Sequence, residues 1–185
     1  MLVQGGAGAV GLCAVGLARL AGARVIATVR SEHDAVVAQS SGAHDIVRTD
    51  GRTASEVVAE LATLAPTGVD HIVEVAFDAN VGVDVELLKV GGSLSTYATA
   101  RSEPSIPFWP LVFKNVRFFF LGSDDFPLSA KADAAQAVNA MLEAGWRGFE
   151  IGERHPLERT ADAHAAVESR RTGGRVVVQL SQGGA

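Results

Sequence analysis

The stretch GGAGAVG at residues 5–11 decides the fold, because it stands between MLVQ (1–4) and the helical pattern AVGLCAVGLARLAG (9–22). Glycines at 5, 8 and 11, between a strand and a helix, are typical of a loop that binds a dinucleotide diphosphate. One glycine permits the tight turn, the next lets backbone amides approach a phosphate, and the third lets the helix pack closely. The helix N-terminus adds unpaired N–H groups and the positive end of its dipole. A glycine turn that only joins a strand to a helix is the alternative.

Short β-branched runs alternate with alanine-rich helical stretches along the rest of the chain. The strand candidates after the first are RVIATVR (24–30), DIV (45–47), VDHIVEVA (69–76), SLSTYA (93–98) and RFFFLG (117–122). Nearly continuous apolar strands between helices are typical of a parallel sheet covered on both faces. The sequence therefore predicts an α/β fold, a doubly wound parallel sheet of the Rossmann type, and this context favours the dinucleotide interpretation of the loop.

Helix ends are also readable from the sequence. Ser31 precedes the helical stretch EHDAVVAQS and Gly42 follows it, while Thr53 and Glu56 form a capping box for a helix that ends before Pro66. The proline-rich stretch 102–116 predicts a loop with one helical turn. Beyond Pro127 we expect a helix, a loop containing HPLE (155–158), a second helix (160–171) and a final strand (174–180).

Composition excludes several classes of function. The chain has 185 residues, 48% of them hydrophobic, which suits one soluble domain with a sizeable core. A net charge of −5 gives no basic field, so we expect no nucleic-acid partner. No apolar run reaches the roughly 20 residues of a membrane span, and no secretory signal opens the chain, so we expect a cytoplasmic protein and no membrane partner. The single Cys13 suggests a buried small hydrophobe, and the five histidines show no metal-binding spacing.

The residue that ends the second strand selects between the two nicotinamide cofactors. NAD-binding proteins place an acidic residue there, on the ribose 2′-hydroxyl, whereas this chain has Arg30. A guanidinium suits a 2′-phosphate, and Ser31 can add its hydroxyl, although it also suits the helix N-cap. Glu32 and Asp34 lower the local positive potential and count against the phosphate. On balance the sequence favours NADPH.

These residues also carry a family resemblance. Five blocks together resemble the medium-chain dehydrogenase/reductase superfamily. They are the opening segment, GAHDIV (42–47), VDHIVEV with Asn80 after it, ELLKVGGSLSTYA (86–98) and the segment 155–180. Within it, the chain is most similar to the zinc-independent quinone oxidoreductase branch, which includes zeta-crystallin. The glycine loop is generic, but the order and spacing of the later blocks are specific to the superfamily.

The resemblance implies a set of cofactor-binding residues. Ala7, Gly8, Ala9 and Val10 would lie under the pyrophosphate, and Arg30 with Ser31 beside the adenosine phosphate. Asp34 departs from a lysine that some relatives use on the 2′-phosphate. The other implied contacts, from the adenine side to the nicotinamide side, are Thr49, Asn80, Tyr97, Ala98, Leu121, Gly122 and Ser123.

The resemblance further implies a second lobe. Family members carry an N-terminal, GroES-like catalytic lobe, and hydride passes to a quinone or enone in the cleft between the lobes. That lobe is absent from this sequence, so we expect the chain to begin inside a longer one, and we name no catalytic residue. We expect 1–125 to form the Rossmann core and 126–185 to pack against the second lobe. The chain alone would then bind NADPH and turn over little substrate.

Rival functions remain open. An alcohol dehydrogenase of the same superfamily and an enoyl reductase module share the cofactor domain, and a crystallin-like protein would bind nucleotide without catalysis. A methyltransferase is disfavoured, since no acidic residue follows the second strand to hold a ribose. The aromatic run 118–120 predicts either a core strand or an edge strand covered by a partner, and the resemblance implies a homodimer through this region.

Overall fold

The computed structural model describes residues 1–169 and 173–180, and its central feature is a parallel sheet of six strands. The strands are β1 (Leu2–Val3), β2 (Ile26–Val29), β3 (Asp45–Arg48), β4 (Val69–Glu74), β5 (Leu88–Thr96) and β6 (Arg117–Phe120). Their order across the sheet is β3-β2-β1-β4-β5-β6. β2 and β3 therefore lie on one side of β1, and β4, β5 and β6 lie on the other, so the strand order reverses between β1 and β4. The predicted doubly wound Rossmann sheet is confirmed.

Helices connect successive strands. They are α1 (Ala9–Leu20), α2 (Glu32–Ser40), α3 (Ala54–Leu64), α4 (Phe77–Leu87), α5 (Phe108–Phe113) and α6 (Leu128–Glu143). Both predicted caps are present: the Ser31 hydroxyl accepts from the Asp34 N–H, and Thr53 and Glu56 form the reciprocal capping box. The helix α5 has six residues, longer than the single turn predicted for that stretch.

Successive residues of the strands divide between two cores, one on each face of the sheet. Leu2 and Ile26 belong to one buried cluster with residues of α3 and α4, while Val3 and Ala27 belong to the other with residues of α1 and α2. All four residues of β2 are buried. Strands covered on both faces need no polar alternation, which explains their continuous apolar runs.

The chain divides into two compact units after Trp146. In the second unit, β7 (Ile151–Pro156) pairs in parallel with β8 (Arg175–Gln179), and α7 (Thr160–Ser169) packs on both. The helix and the final strand are as predicted, as far as the described residues reach; positions 170–171 of the expected helix lie outside them. The loop expected around HPLE is partly wrong, because residues 151–156 form a strand. Its sequence IGERHP is polar and mostly exposed, so it carries no apolar signal for a strand.

Two further predictions meet the structure here. Cys13 is half-buried, not buried as expected, because it lies on the side of α1 that the core covers only in part. The aromatic run of β6 is an edge strand, since β6 pairs only with β5 within the described residues, and Phe119 and Phe120 are 47% and 68% exposed.

Candidate functional site

The glycine loop follows β1 and turns into α1 beside the point where the sheet order reverses. Gly5 has φ +65°, which side chains rarely adopt, and its N–H donates to Thr28 Oγ1 at 3.1 Å. The Gly6 N–H donates to the Thr28 carbonyl at 2.8 Å, and a Cβ at Gly6 would lie 2.6 Å from the Ala27 Cβ. A Cβ at Gly11 would clash with the Gly5 carbonyl oxygen. The loop is therefore fixed against β2, and Gly6 is a packing glycine that the sequence pattern did not single out.

The start of α1 leaves several amides open. Gly8 is the N-cap and has no side chain to cap the helix, and the first helical bond is from the Leu12 N–H to the Gly8 carbonyl. Within the described part of the chain, the N–H groups of Ala9, Val10 and Gly11 donate to no acceptor outside the helix. Gly8 and Val10 are exposed, while Ala7 and Ala9 are half-buried. Open donors at the positive end of a helix are the groups to which anions bind in proteins.

The carboxyl end of β2 presents a free cation. Arg30 is exposed, and its guanidinium has no hydrogen bond or ion pair among the described residues. Glu32, two residues further on, is paired with Arg48 at 3.0 Å. Arg48 also contacts Asp50 at 2.6 Å, and this hydrogen bond is the main reason that the pKa of Arg48 is raised and that of Asp50 lowered. Arg48 is thus shared between two carboxylates, so Arg48, Glu32 and Asp50 together keep one negative charge.

Thr49 joins the ends of β2 and β3. Its N–H donates to the Val29 carbonyl at 2.9 Å, and its hydroxyl donates to the same oxygen at 3.2 Å. The hydroxyl of Thr49 is thus engaged by the fold, and the predicted contact with the adenosine half would use its remaining lone pairs. Ser31 is similar, since its oxygen accepts from Asp34 N–H at 3.1 Å while its own proton has no fixed acceptor among the described residues.

A buried polar network lies beneath these loops, and the sequence analysis did not find it. Glu74, the last residue of β4, accepts hydrogen bonds from the Ala76 N–H and from Asn80 Nδ2, the latter at 3.1 and 3.2 Å. Asp84 of α4 accepts from Gln4 Nε2 at 2.8 Å, and Gln4 Oε1 accepts from the Thr28 hydroxyl at 2.6 Å. Both carboxyls are fully buried.

The electrostatics of this network are unusual. Burial raises the pKa of Asp84 well above its ordinary value, and the neighbouring charge of Glu74 raises it further. Glu74 also contributes to the raised pKa of Tyr97, for which burial is the larger cause. This network left no signal in the sequence. The stretch FDANVGVDVEL of α4 does not separate apolar from polar positions clearly enough to show that Asp84 faces inward.

The ends of β5 and β6 complete this edge of the sheet. Tyr97 is half-buried, and the Ala98 carbonyl accepts from the Phe77 N–H at 3.1 Å. The Leu121 N–H donates to the Thr96 carbonyl at 2.9 Å, after which Gly122 leads into a short 3-10 turn that begins at Ser123. The predicted residues therefore all follow the carboxyl ends of the strands, where open α/β sheets bind their ligands.

Two further properties bear on the site. No three histidine, cysteine, aspartate or glutamate side chains gather into a group able to hold a metal in residues 1–169 and 173–180. No helix of the same residues has both the length and the apolar character that crossing a membrane requires.

Comparison with known proteins gives a family match. Residues 9–140 match the family model described as zinc-binding dehydrogenase. The quinone oxidoreductase of Lama guanicoe is 29% identical over 192 residues, which cover 97% of this chain and 54% of that protein. The chain spans about half the length of the curated relatives it matches.

Solved structures agree with the sequence relatives. The crystal structure of AibC has a TM-score of 0.80 at 25% identity, covering 98% of this chain and 49% of that one. The quinone oxidoreductase from Thermus thermophilus, solved with its NADPH complex, has a TM-score of 0.75 at 26% identity. That match covers 97% of this chain and 57% of the Thermus chain.

Proposed function

Because the chain belongs to the zinc-binding dehydrogenase family, we propose that it is the NADPH-binding part of an oxidoreductase that reduces a quinone or an enone. The family and its quinone oxidoreductase relatives support an oxidoreductase and a nicotinamide dinucleotide. The choice of NADPH, the substrate and the residue roles below belong to the proposal. Bound NADPH would supply the hydride, and the residues of this chain would bind and orient it.

The open amides at the start of α1 carry the proposal. Three N–H groups without acceptors among the described residues, at a helix end whose cap position is a bare glycine, match the needs of a diphosphate. Gly8 is this cap position. Apart from its chain neighbours, only the Gly5 carbonyl oxygen among the described residues lies within 4 Å of where a Cβ at Gly8 would be. Phosphate oxygens can therefore approach the backbone of Ala7, Gly8, Ala9 and Val10 directly.

The surroundings of Arg30 support a 2′-phosphate. An unpaired guanidinium at the end of β2 can form charge-assisted hydrogen bonds with a phosphate. Glu32 is bonded to Arg48 and not to Arg30, so the Arg30 guanidinium stays available to a ligand. The backbone N–H of Asp34 belongs to the helix cap, where it bonds to the Ser31 hydroxyl oxygen, and the carboxylate of Asp34 still counts against a phosphate.

The other half of the sheet would hold the nicotinamide. In a sheet of this order the two halves of a dinucleotide lie over strands 1–3 and 4–6, on either side of the reversal. Asn80, Tyr97, Ala98 and residues 121–123 follow strands of the second half. The Asn80 amide nitrogen is held by Glu74, and its oxygen has no partner among the described residues, so the oxygen remains to accept from the cofactor.

The substrate assignment depends on the relatives. Quinone oxidoreductases cover nearly the whole of this chain, which favours a quinone, and the family resemblance extends this to enones. The alcohol dehydrogenase, enoyl reductase and non-catalytic alternatives share the same cofactor site. Activity of the complete protein towards a quinone, an alcohol and an enoyl thioester would separate them.

A pair of substitutions at Gly8 tests the diphosphate site. Aspartate is a better N-cap than glycine, but its Cβ would lie 3.3 Å from the Gly5 carbonyl oxygen, so Gly8→Asp should leave the melting temperature close to that of the wild type. Its carboxylate would occupy the anion site, and repulsion should weaken NADPH binding about 30-fold or more. Gly8→Asn has the same shape and the same capping ability without the charge. Calorimetry should therefore find NADPH binding at least about tenfold tighter to the Asn variant than to the Asp variant.

Two outcomes would contradict the diphosphate site. One is a wild-type chain that shows no heat of binding and no thermal shift at millimolar NADPH. The other is equal affinity of the Asp and Asn variants for NADPH, since a diphosphate at residues 7–10 cannot ignore a carboxylate there. A thermal shift with S-adenosylmethionine instead of NADPH would favour the methyltransferase alternative.

The exposed edge of the sheet supports a homodimer as part of the proposal. β6 has one free edge within the described chain, and both β6 and the preceding helix α5 expose large apolar side chains. Their exposures are 58% for Phe108, 63% for Trp109, 74% for Phe113, 47% for Phe119 and 68% for Phe120. An apolar edge of this kind invites pairing with a second copy.

A further inference from the structure

We propose that Glu74 and Asp84 share one proton inside the fold and that this pair positions Asn80 at the nicotinamide half of the site. The cofactor part of this inference rests on the proposed function; the shared proton does not. Both carboxyls are fully buried. Burying two negatively charged carboxylates side by side would cost much free energy, whereas one shared proton removes one of the two charges.

The hydrogen-bond geometry requires the proton. Asp84 Oδ1 accepts from Gln4 Nε2 at 2.8 Å, but buried Asp84 Oδ2 has no donor among the described residues. Val3 pairs with Val73, so the next residues of the two strands, Gln4 and Glu74, lie opposite each other. The Asp84 carboxyl that bonds to Gln4 is thereby brought next to Glu74, and the influence of Glu74 on the pKa of Asp84 agrees with this. Two acceptor groups in contact are satisfied only if one of them carries a hydrogen, so a proton between the carboxyls completes the bonding of Oδ2.

The donors around the pair assign the proton to Asp84. Glu74 accepts two N–H groups, from Ala76 and Asn80, and each stabilises a negative charge on Glu74. Asp84 accepts only one among the described residues, from the neutral amide of Gln4. The Asp84 hydroxyl then donates to Glu74, and the raised pKa of Asp84, caused first by burial and next by Glu74, agrees with this direction.

The pair closes one continuous chain of hydrogen bonds across the sheet. The chain begins at the Gly5 N–H, continues through the Thr28 hydroxyl and the Gln4 side chain, and passes through Asp84 and Glu74 to Asn80. Residues in or next to β1, β2, β4 and α4 thus form the network around the pair, and Glu74 also contributes to the raised pKa of Tyr97. Asn80 is held by the charged member of the pair, so Glu74 is a positioning residue for the Asn80 amide oxygen.

The shared proton has a consequence for stability that can be measured without cofactor. An aspartate whose pKa is raised by folding stabilises the fold fully below its unfolded pKa of about 3.9, and this stability is lost as the pH rises towards the folded pKa. Asp84→Asn keeps a donor towards Glu74 and an acceptor for Gln4 but cannot titrate. The melting temperature of Asp84→Asn minus that of wild type should therefore grow by about 2 °C or more between pH 5 and pH 8.

Asp133→Asn is the matched control for this measurement. It removes an exposed aspartate of α6, so its difference from wild type should stay constant over the same pH range. A constant or shrinking difference for Asp84→Asn would overturn the shared proton. If Asp84→Asn does not fold, the infrared spectrum of the wild-type chain decides: the carbonyl band of a protonated carboxylic acid must be present at pH 7, and its absence overturns the proposal.

The positioning role is tested with two ligands that differ only in the nicotinamide half. Glu74→Gln retains the size of the side chain but leaves one acceptor oxygen for the two N–H donors. It should weaken NADPH binding about three- to tenfold, the effect of one misplaced hydrogen bond, and change binding of 2′-phospho-ADP-ribose less than about twofold. Equal losses for both ligands would show general disruption and overturn the positioning role. Failure of both ligands to bind wild type would instead refute the proposed function and leave the pH result standing.

Discussion

Arg30 follows β2 at the place where a ribose phosphate would lie in the proposed function, and its guanidinium has no hydrogen bond or ion pair among the described residues. An unpaired cation contributes to binding only when the ligand brings an anion to it. We therefore expect Arg30→Ala to weaken NADPH binding about tenfold or more and to change NADH binding less than about twofold, as measured by fluorescence titration.

Arg24→Ala provides the control for Arg30→Ala. Arg24 precedes the amino end of β2, at the opposite end of that strand from Arg30. There it bonds to Asp45 at 2.8 Å and to the Leu64 carbonyl at 2.9 Å. Its loss should lower stability and leave both cofactor affinities unchanged. If Arg30→Ala weakens NADPH and NADH equally, the 2′-phosphate does not lie at Arg30.

Single residues differ in how far the sequence reveals their role. The glycine loop is predictable because a left-handed φ at Gly5 and contact of Gly11 with the loop backbone both exclude a side chain. The role of Glu74 and Asp84 is not predictable, because it depends on a contact between the last residue of β4 and a residue of α4 that lies ten positions further along the chain. Nothing in the spacing of two acidic residues shows that both face inward.

Among the elements, α3 offers a direct test of helix capping. Thr53 accepts the Glu56 N–H at 3.3 Å, and Glu56 accepts the Thr53 N–H at 2.8 Å. Thr53→Ala removes the side-chain half of this box and should cost about 1 kcal/mol in the free energy of unfolding. The melting temperature should fall by about 2–4 °C in a thermal unfolding experiment.

Thr63→Ala is the matched substitution within α3. Thr63 is exposed near the C-terminus of the helix, and its hydroxyl only bonds back to the Ala59 carbonyl at 2.8 Å. Alanine has the higher helix propensity, so this change should leave the melting temperature unchanged or raise it slightly. Equal destabilisation by both substitutions would mean that the cap contributes nothing specific.

The elements also show where sequence patterns succeed. Apart from Thr28 and Glu74, the buried residues of β2 and β4 are apolar because helices cover both faces, and such runs are visible without a structure. β7 forms one edge of a two-stranded pair and has the pattern IGERHP, in which Ile151 and Pro156 flank polar residues. Its strand conformation comes from pairing with β8, a partner about twenty residues away, and not from its own composition.

At the scale of the whole molecule, the sequence predicts the sheet and the edge that binds a ligand, but not the substrate. The described residues that follow the strands serve the cofactor in the proposed function, and the matched relatives are about twice as long as this chain. The division into 1–125 and 126–185 stays a prediction, since it concerns packing against a second lobe that the family resemblance implies.

The free edge of β6 leads us to expect that two copies of the chain form a dimer. If two copies pair their sheets along this edge, sedimentation should show a dimer, and Phe119→Lys should give a monomer at concentrations where the wild type is dimeric. A lysine on an edge strand opposes pairing because its charge would have to be buried against the partner strand. Phe119 is half exposed and shows no ring contact with other aromatics of the described chain, so its replacement should disturb the fold little.

Leu128→Lys places the same charge on another exposed apolar residue. Leu128 begins α6 and is 84% exposed, so this variant should remain dimeric if the β6 edge is the interface. A wild-type chain that stays strictly monomeric at high concentration would contradict the dimer. Loss of the dimer in both variants would place the contact elsewhere, because two separate surfaces cannot each be the single edge that sheet pairing requires.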